Sequence, residues 1–277
     1  MPSDDETFES VRREPDPVAQ GRRATELLNI YQRRTAELAR LRREAMRRLQ
    51  TERGMSYAAI ADAFGLSKGR IGQLIQAGPP VERALFGLGP ISIAVPLRGS
   101  PDRTLPVFAS EDALAADRLA ALLRDLAFEV ERVSIPVDGR WQPAGDVVAI
   151  CGPKSSAVSA HALEADPLLR FHERDGRWVI EDRADGRSYG SPLDDDPPDR
   201  SADIAYLGRL PVDGGTMLLI AGVHALGSLG AVDYLINHLA ELYRVVGTGP
   251  FSMVTASRHH GERVIHSEAL CPPRVHQ

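Results

Sequence analysis

Lysine is almost missing from this chain of 277 residues: of its 33 basic residues only Lys68 and Lys154 are lysines. With the many Ala, Gly and Pro, this arginine bias reads as the imprint of a GC-rich genome rather than as chemistry. Cysteine is equally scarce. Cys151 and Cys271 lie far apart without metal-ligand spacing, which speaks against a disulfide framework or a structural zinc and fits a reducing cytoplasm. No apolar run is long enough to span a bilayer, and the opening MPSDDETFES lacks the basic-then-apolar pattern of a secretory signal. The expectation is a cytoplasmic protein with no membrane partner, no metal and no cofactor. Its apolar fraction of 43% supports a proper core and argues against wholesale disorder. The length suits two domains.

Acidic charge is in short supply only at one end. From 17 to 80 there are 12 basic residues against 5 acidic, a difference of +7; from 87 to 277 there are 18 against 26, a difference of −8. A basic head on an acidic body is what a DNA-binding module joined to a non-DNA-binding one looks like, although a solvated arginine-rich helix face gives the same count. The boundaries follow: a disordered acidic tail over 1–16, a helical domain over 17–80, a linker at Ala77-Gly-Pro-Pro80, and an α/β domain over 88–277.

The stretch 18–53 has no Pro, and no Gly after Gly21, and reads as one long helix. Leu27, Tyr31, Leu38, Leu41 and Ala45 form a narrow seam broken by Arg34. Such a seam suits packing on the helices that follow, the slightly favoured reading, or a short coiled coil. Two-fold pairing is how helix-turn-helix proteins usually gain site length, so a homodimer is expected.

The segment 55–75 carries the strongest motif. Ser56 caps a short helix whose inner face holds Ile60, Ala61 and Phe64. Gly65 supplies the left-handed turn, Leu66 plugs the gap, Ser67 caps a second helix, and Ile71, Leu74 and Ile75 face inward. These are the parts of a helix-turn-helix over about 55–76. The string Tyr57-Ala-Ala-Ile-Ala followed by Gly65-Leu-Ser-Lys-Gly-Arg-Ile-Gly-Gln73 resembles the helix-turn-helix of sigma-factor region 4 and its relatives. The likeness covers about 25 residues, or about 65 with the preceding helix. It implies that the second helix enters the major groove of double-stranded DNA, with Ser67, Lys68, Arg70 and Gln73 exposed. Arg or Lys donates twice to guanine, Gln pairs with adenine, and Ser67 at a helix N-terminus holds a phosphate. Gly72 departs from the pattern and costs the recognition helix roughly 1 kcal/mol relative to Ala. A helical hairpin for protein contact is the alternative.

Beyond residue 88 the texture changes. Ile91–Val95, Phe128–Val133, Asp146–Cys151, Asp203–Leu210, Thr216–Ala221 and Phe251–Thr255 read as strands. Glu111–Phe128 and Leu229–Tyr243 read as helices, and Arg177–Asp182 as part of a hairpin between turn signals. The fold class is therefore α+β: an all-helical helix-turn-helix domain, then an α/β sandwich with a mostly parallel sheet covered on both faces. Two loops after buried strands are ligand-binding candidates: Gly152, Pro153, Lys154, Ser155 and Ser156 in the first, Gly222, His224, Gly227 and Ser228 in the second. Small residues there let amides approach a phosphate, and Lys154 adds charge. The spacing matches no dinucleotide or Walker fingerprint, and strand-to-helix turns with a hydrogen-bonded histidine explain it equally well. Asp194, Asp195 and Asp196 read as a solvated loop rather than a metal site. Asp203 and Arg209 either line the pocket edge or pair with each other. His259, His260, His266 and His276 fall in what reads as a polar C-terminal tail.

The function expected is a DNA-binding transcription regulator, no enzyme, whose α/β domain senses a small nucleotide-like or phosphorylated ligand. Its rivals are a nucleoside- or NAD-processing enzyme with a DNA-binding head, in which Glu111 is the suspected acid, and a protein-docking adaptor.

Overall fold

A computed structural model of the chain describes residues 4–76, 79–100, 103–142, 145–212 and 215–276. Ala77 and Gly78 of the expected linker lie outside them. The contacts group the chain into two units, Met1–Val81 and Glu82–Gln277.

The first unit is helical: α1 Asp4–Arg12, α2 Pro17–Thr51, α3 Tyr57–Phe64 and α4 Lys68–Gln76. Helix α1 stands where a disordered tail was expected. Glu9 pairs with Arg12 and Arg13 along it, and the Gln20 side chain donates to the Val11 and Arg12 carbonyls at 3.2 and 3.4 Å, so local ion pairs and these cross-links to α2 supply what composition hid. Asp16 caps α2 by accepting from Val18 and Ala19, with Pro17 in the first turn. The Ser56 hydroxyl accepts from the Ala59 amide at 3.2 Å. Gly65 at φ 63° ends α3, and the Ser67 hydroxyl accepts from the Arg70 amide at 3.2 Å to start α4. Met46, Ile60, Ala61 and Ile71 form the buried centre, with Tyr57, Phe64, Leu66 and Leu74 around it.

The seam along α2 does not pack as favoured from the sequence. Leu27 is buried, but Leu38 is 66% and Leu41 46% exposed, and Ala45 is exposed. The packing face is carried instead by Met46 and Leu49. The five seam positions stay within about 40° of one line along the helix, so the stripe itself is continuous; the helices that follow pack on the C-terminal end of α2, at Met46 and Leu49, and leave Leu38 and Leu41 bare.

The second unit contains β1 Ile91–Pro96, β2 Arg98–Ser100, β3 Arg103–Val107, α5 Ser110–Asp125, β4 Val130–Ile135, β5 Asp146–Ile150 and α6 Ala157–Glu164. Then follow β6 Leu169–Arg174, β7 Arg177–Asp182, β8 Ser188–Gly190, β9 Ala202–Val212, β10 Gly215–Gly222, α7 Ala225–Val246, β11 Phe251–His260 and β12 Arg263–Val275. Seven strands make the main sheet in the order β12-β11-β9-β10-β5-β1-β4. The pairs β4–β1, β1–β5 and β5–β10 are parallel, and β10–β9, β9–β11 and β11–β12 antiparallel. Five of the seven strands thus point one way. Strands buried on both faces feed two cores: Val148 and Ile150 point to one, with Leu119 and Leu235 of α5 and α7, while Val147 and Ala149 point to the other, with Leu163 of α6 and Phe171 and Ile180 of the small sheet β6-β7-β8.

The expected C-terminal tail is strand β12, paired in antiparallel register with β11. Its polar residues face outward while Ser267 and Cys271 turn inward and are buried, and Pro272-Pro273 are tolerated because β12 is an edge strand. His259 of β11, placed in that tail by the sequence, is buried. Helix α7 starts four residues before the expected Leu229, and α6 and the β2–β3 hairpin were not anticipated.

Candidate functional site

Each unit carries one candidate surface. On the first, Ser67, Lys68, Arg70 and Gln73 are all exposed at the start of α4: Arg70 and Gln73 point away from the side that buries Ile71, while Ser67, the residue before the helix, and Lys68, its first, are exposed at the helix end. Arg70 Nη1 donates to Gln73 Oε1 at 3.3 Å, so these two side chains stand together one turn apart and present their remaining donors as a set. Ser67 spends its hydroxyl lone pair on the Arg70 amide and is first of all a cap. Gly72 is not on this face: a Cβ there would meet the Tyr57 ring at 4.0 Å, an ordinary contact, so the backbone does not require glycine.

On the second unit, the carboxyl ends of β1, β5 and β10 open on a cavity of about 370 Å³. The chain leaves β1 through α5 toward one sheet edge, and leaves β5 through α6 toward the other. Such a switch of direction leaves a crevice between helices on opposite faces. Gly152, Lys154 and Ser155 of the first predicted loop line the cavity, as do Gly222, His224 and Ser228 of the second. Pro153, Ser156 and Gly227 are not among the lining residues. Ser156 caps α6 by accepting from the Ser159 amide at 3.2 Å, and Gly227 passes so close to the Ile204 carbonyl that a Cβ would overlap it. Gly222 likewise has no room: a Cβ would run into the His224 carbonyl and lie 2.6 Å from the Ser228 amide nitrogen. Glycine here serves the turn's own packing.

Several charges on the cavity wall are held by the protein itself. Arg98 donates to Asp112 at 2.6 Å, and the Asp112 side chain is 1% exposed; burial pushes that carboxyl up, against the pull of Arg98. The Cys151 thiol, 3.6 Å from Arg98, is also raised, first by burial and then by Asp112. It is therefore a protonated thiol and not a ready nucleophile. Cys151 adopts φ 119°, a region that costs a residue with a Cβ on the order of 1–3 kcal/mol. Asp203 accepts from the Ser191 hydroxyl at 2.7 Å, the Ile204 amide at 2.8 Å and the Gly227 amide at 2.6 Å, fastening β9 to the first turn of α7. Burial raises its carboxyl too. His224 Nε2 lies 2.9 Å from Asp194, so the first aspartate of the triple-Asp loop orients this histidine. Arg209, the other charged residue expected at the strand's ends, is elsewhere: it donates to the Thr248 carbonyl and to the Thr216 hydroxyl, and does not pair with Asp203.

Three lining side chains remain open. Lys154 and Arg200 are exposed at the rim, and neither makes an ion pair among the described residues. Glu111, half-buried, receives only the hydroxyl of its neighbour Ser110 at 3.0 Å. Sequence reasoning missed Arg98, Asp112, Leu193 and Arg200. Applying the rule for loops beyond strand ends to β1 as well would have found Arg98. Nothing local marks Arg200, which only the path of the 191–201 loop brings to the cavity. Among the described residues no group of three or more His, Cys, Asp or Glu side chains is placed to hold a metal ion, and no helix is long and apolar enough to cross a membrane. Both cysteines are free and buried.

No protein-family model matches the chain, and no curated protein matches it. The two surfaces are therefore read from their own chemistry.

Proposed function

We propose that this chain is a DNA-binding transcription regulator of the cytoplasm, with a sigma-region-4-like helix-turn-helix head and a ligand-sensing α/β body. The observation that carries the reading is the start of α4, where Ser67, Lys68, Arg70 and Gln73 stand exposed, with Arg70 and Gln73 on the side away from the buried Ile71. A helix presenting Arg and Gln one turn apart can read guanine and adenine edges in the major groove, while Lys68 and the helix N-terminus hold phosphates. The bare leucines Leu38 and Leu41 of α2 support pairing of two copies, which would double the reading length on a two-fold site. The cavity of the second unit supplies a place for a small phosphorylated ligand. Such a ligand alters DNA affinity only by binding two conformations or assemblies unequally.

Salt titration of binding to fragments from the protein's own upstream region tests the head. Wild type is expected to bind sequence-selectively with a steep salt slope. Arg70→Ala should lose about 1–3 kcal/mol of base discrimination, and Lys68→Ala should weaken all sequences alike and flatten the salt slope by about one. Absence of binding at low salt would sink the reading in favour of a protein-contacting hairpin.

One observation favours a second reading: Glu111 lines the same cavity as both loops, which is where a carboxylate would have to stand to stabilise developing positive charge on a sugar during nucleoside or NAD cleavage. Incubation with NAD and nucleosides, followed by product analysis, decides it. Sustained turnover abolished by Glu111→Gln would support an enzyme.

A further inference from the structure

The cavity wall separates its charges into those engaged by the protein and those left open, and the open set describes a ligand. This inference rests on the cavity being a ligand site. Arg98 is neutralised by Asp112, Asp203 is saturated by a hydroxyl and two amides, and His224 leans on Asp194. What remains is two cations, Lys154 and Arg200, and one carboxylate, Glu111. Ala225 and Leu226, in the first turn of α7, also line the cavity, and the N-cap residue His224 makes no side-chain bond to that turn. Two open cations and a helix start call for an anion that accepts several hydrogen bonds. Glu111 has most of its roughly four lone-pair sites free. The two cations disfavour a positively charged partner for it, which leaves neutral donors, and in a phosphorylated sugar these are hydroxyls. The volume, about 370 Å³, sits near the lower end of the roughly 300–1,000 Å³ usual for small-molecule sites, room for one sugar phosphate or mononucleotide and not for a dinucleotide.

We propose that the cavity binds a phosphorylated pentose unit, free or as a mononucleotide, with Lys154 and Arg200 on the phosphate and Glu111 accepting from the sugar hydroxyls.

The scarcity of lysine makes the test direct. Because Lys68 and Lys154 are the only lysines, one acylation experiment on the intact chain, read by mass spectrometry, reports both candidate surfaces. Ribose 5-phosphate or AMP is expected to protect Lys154 at concentrations where ribose and inorganic phosphate do not. Protection by ribose 5-phosphate assigns a free sugar phosphate, and protection by AMP alone assigns a mononucleotide. In titration calorimetry of whichever compound protects, Arg200→Ala should lower affinity at least tenfold. Glu111→Gln should lower it by a similar factor while leaving weak inorganic phosphate binding unchanged. Protection by neither compound, equal protection by inorganic phosphate, or unaltered affinity in both variants would overturn the proposal. Duplex DNA reports separately through Lys68. Lys68 protected by DNA with Lys154 untouched by either sugar phosphate overturns the ligand assignment alone. Lys154 protected by a sugar phosphate with Lys68 untouched by DNA supports that assignment and removes the DNA-binding reading.

Discussion

In the first unit the candidate residues fall within seven positions, at the cap and first turns of one nine-residue helix; in the second they come from positions as distant as 98 and 228. The first surface is what packing leaves over, since burying Ile71 turns Arg70 and Gln73 outward by helical geometry alone. The second is assembled by a sheet, and its residues converge only because β1, β5 and β10 lie side by side. A site left over by packing is sensitive to anything that loosens its small core, whereas an assembled site is sensitive to the turns that join its strands.

The largest effect expected from this contrast is in the first unit. Among the described residues its buried centre has four, and Ile60→Ala should cost about 2–5 kcal/mol. Hydrogen exchange is expected to speed up through α3 and α4 and to leave β5 and β10 protected, with the proposed DNA binding lost. Uniform acceleration in both units would break the comparison. Next, Gly222→Ala should cost about 1–3 kcal/mol by overpacking a turn with no free space, measured by denaturant unfolding, and should abolish ligand protection of Lys154.

Glycines of the first unit should behave differently. Gly65 has nothing within 4 Å of a built Cβ but sits at φ +63°, so Gly65→Ala should cost about 1–2 kcal/mol through backbone strain alone. Gly72 has neither constraint, and Gly72→Ala should gain up to about 1 kcal/mol of helix stability. A loss in Gly72→Ala without loss of DNA binding would show that Tyr57 needs that space.

The smallest effect concerns pH. Burial lowers His259, outweighing the attraction of Asp233, and lowers His276 despite Asp166. A histidine held below its ordinary value of about 6.5 takes up its proton in the unfolded chain first, so stability is present above that pH and falls as pH drops through it. The denaturant midpoint of the second unit should therefore decrease from pH 7.5 to pH 6, and less steeply in His276→Gln. An increase over that interval would reverse the assignment.

Much of this architecture was legible because its determinants are local. The caps Ser56 and Ser67, the turn at Gly65 and the inward residues Ile60 and Ile71 act within one or two helical turns, and continuous apolar runs such as Val147–Ile150 announce strands buried on both faces. Harder to read were segments whose patterns are masked by one polar side or a helix breaker. The edge strand β12 alternates around two prolines, and α1 depends on cross-links to α2. Leu38 and Leu41 carry a core-like spacing yet stay bare, because a seam's period does not tell which stretch of a long helix finds a partner.

The amino-acid order by itself determined the helical hairpin, the outward face of α4 and the two small-residue loops, since these follow from propensity, capping and side-chain period over a few residues. Tertiary structure alone decided that those loops share a cavity, that Arg98 and Asp112 neutralise each other there, and that Arg200 joins them from a distant loop. Ion pairing and desolvation depend on distance in space, and that distance is set by sheet order and strand direction rather than by separation along the chain.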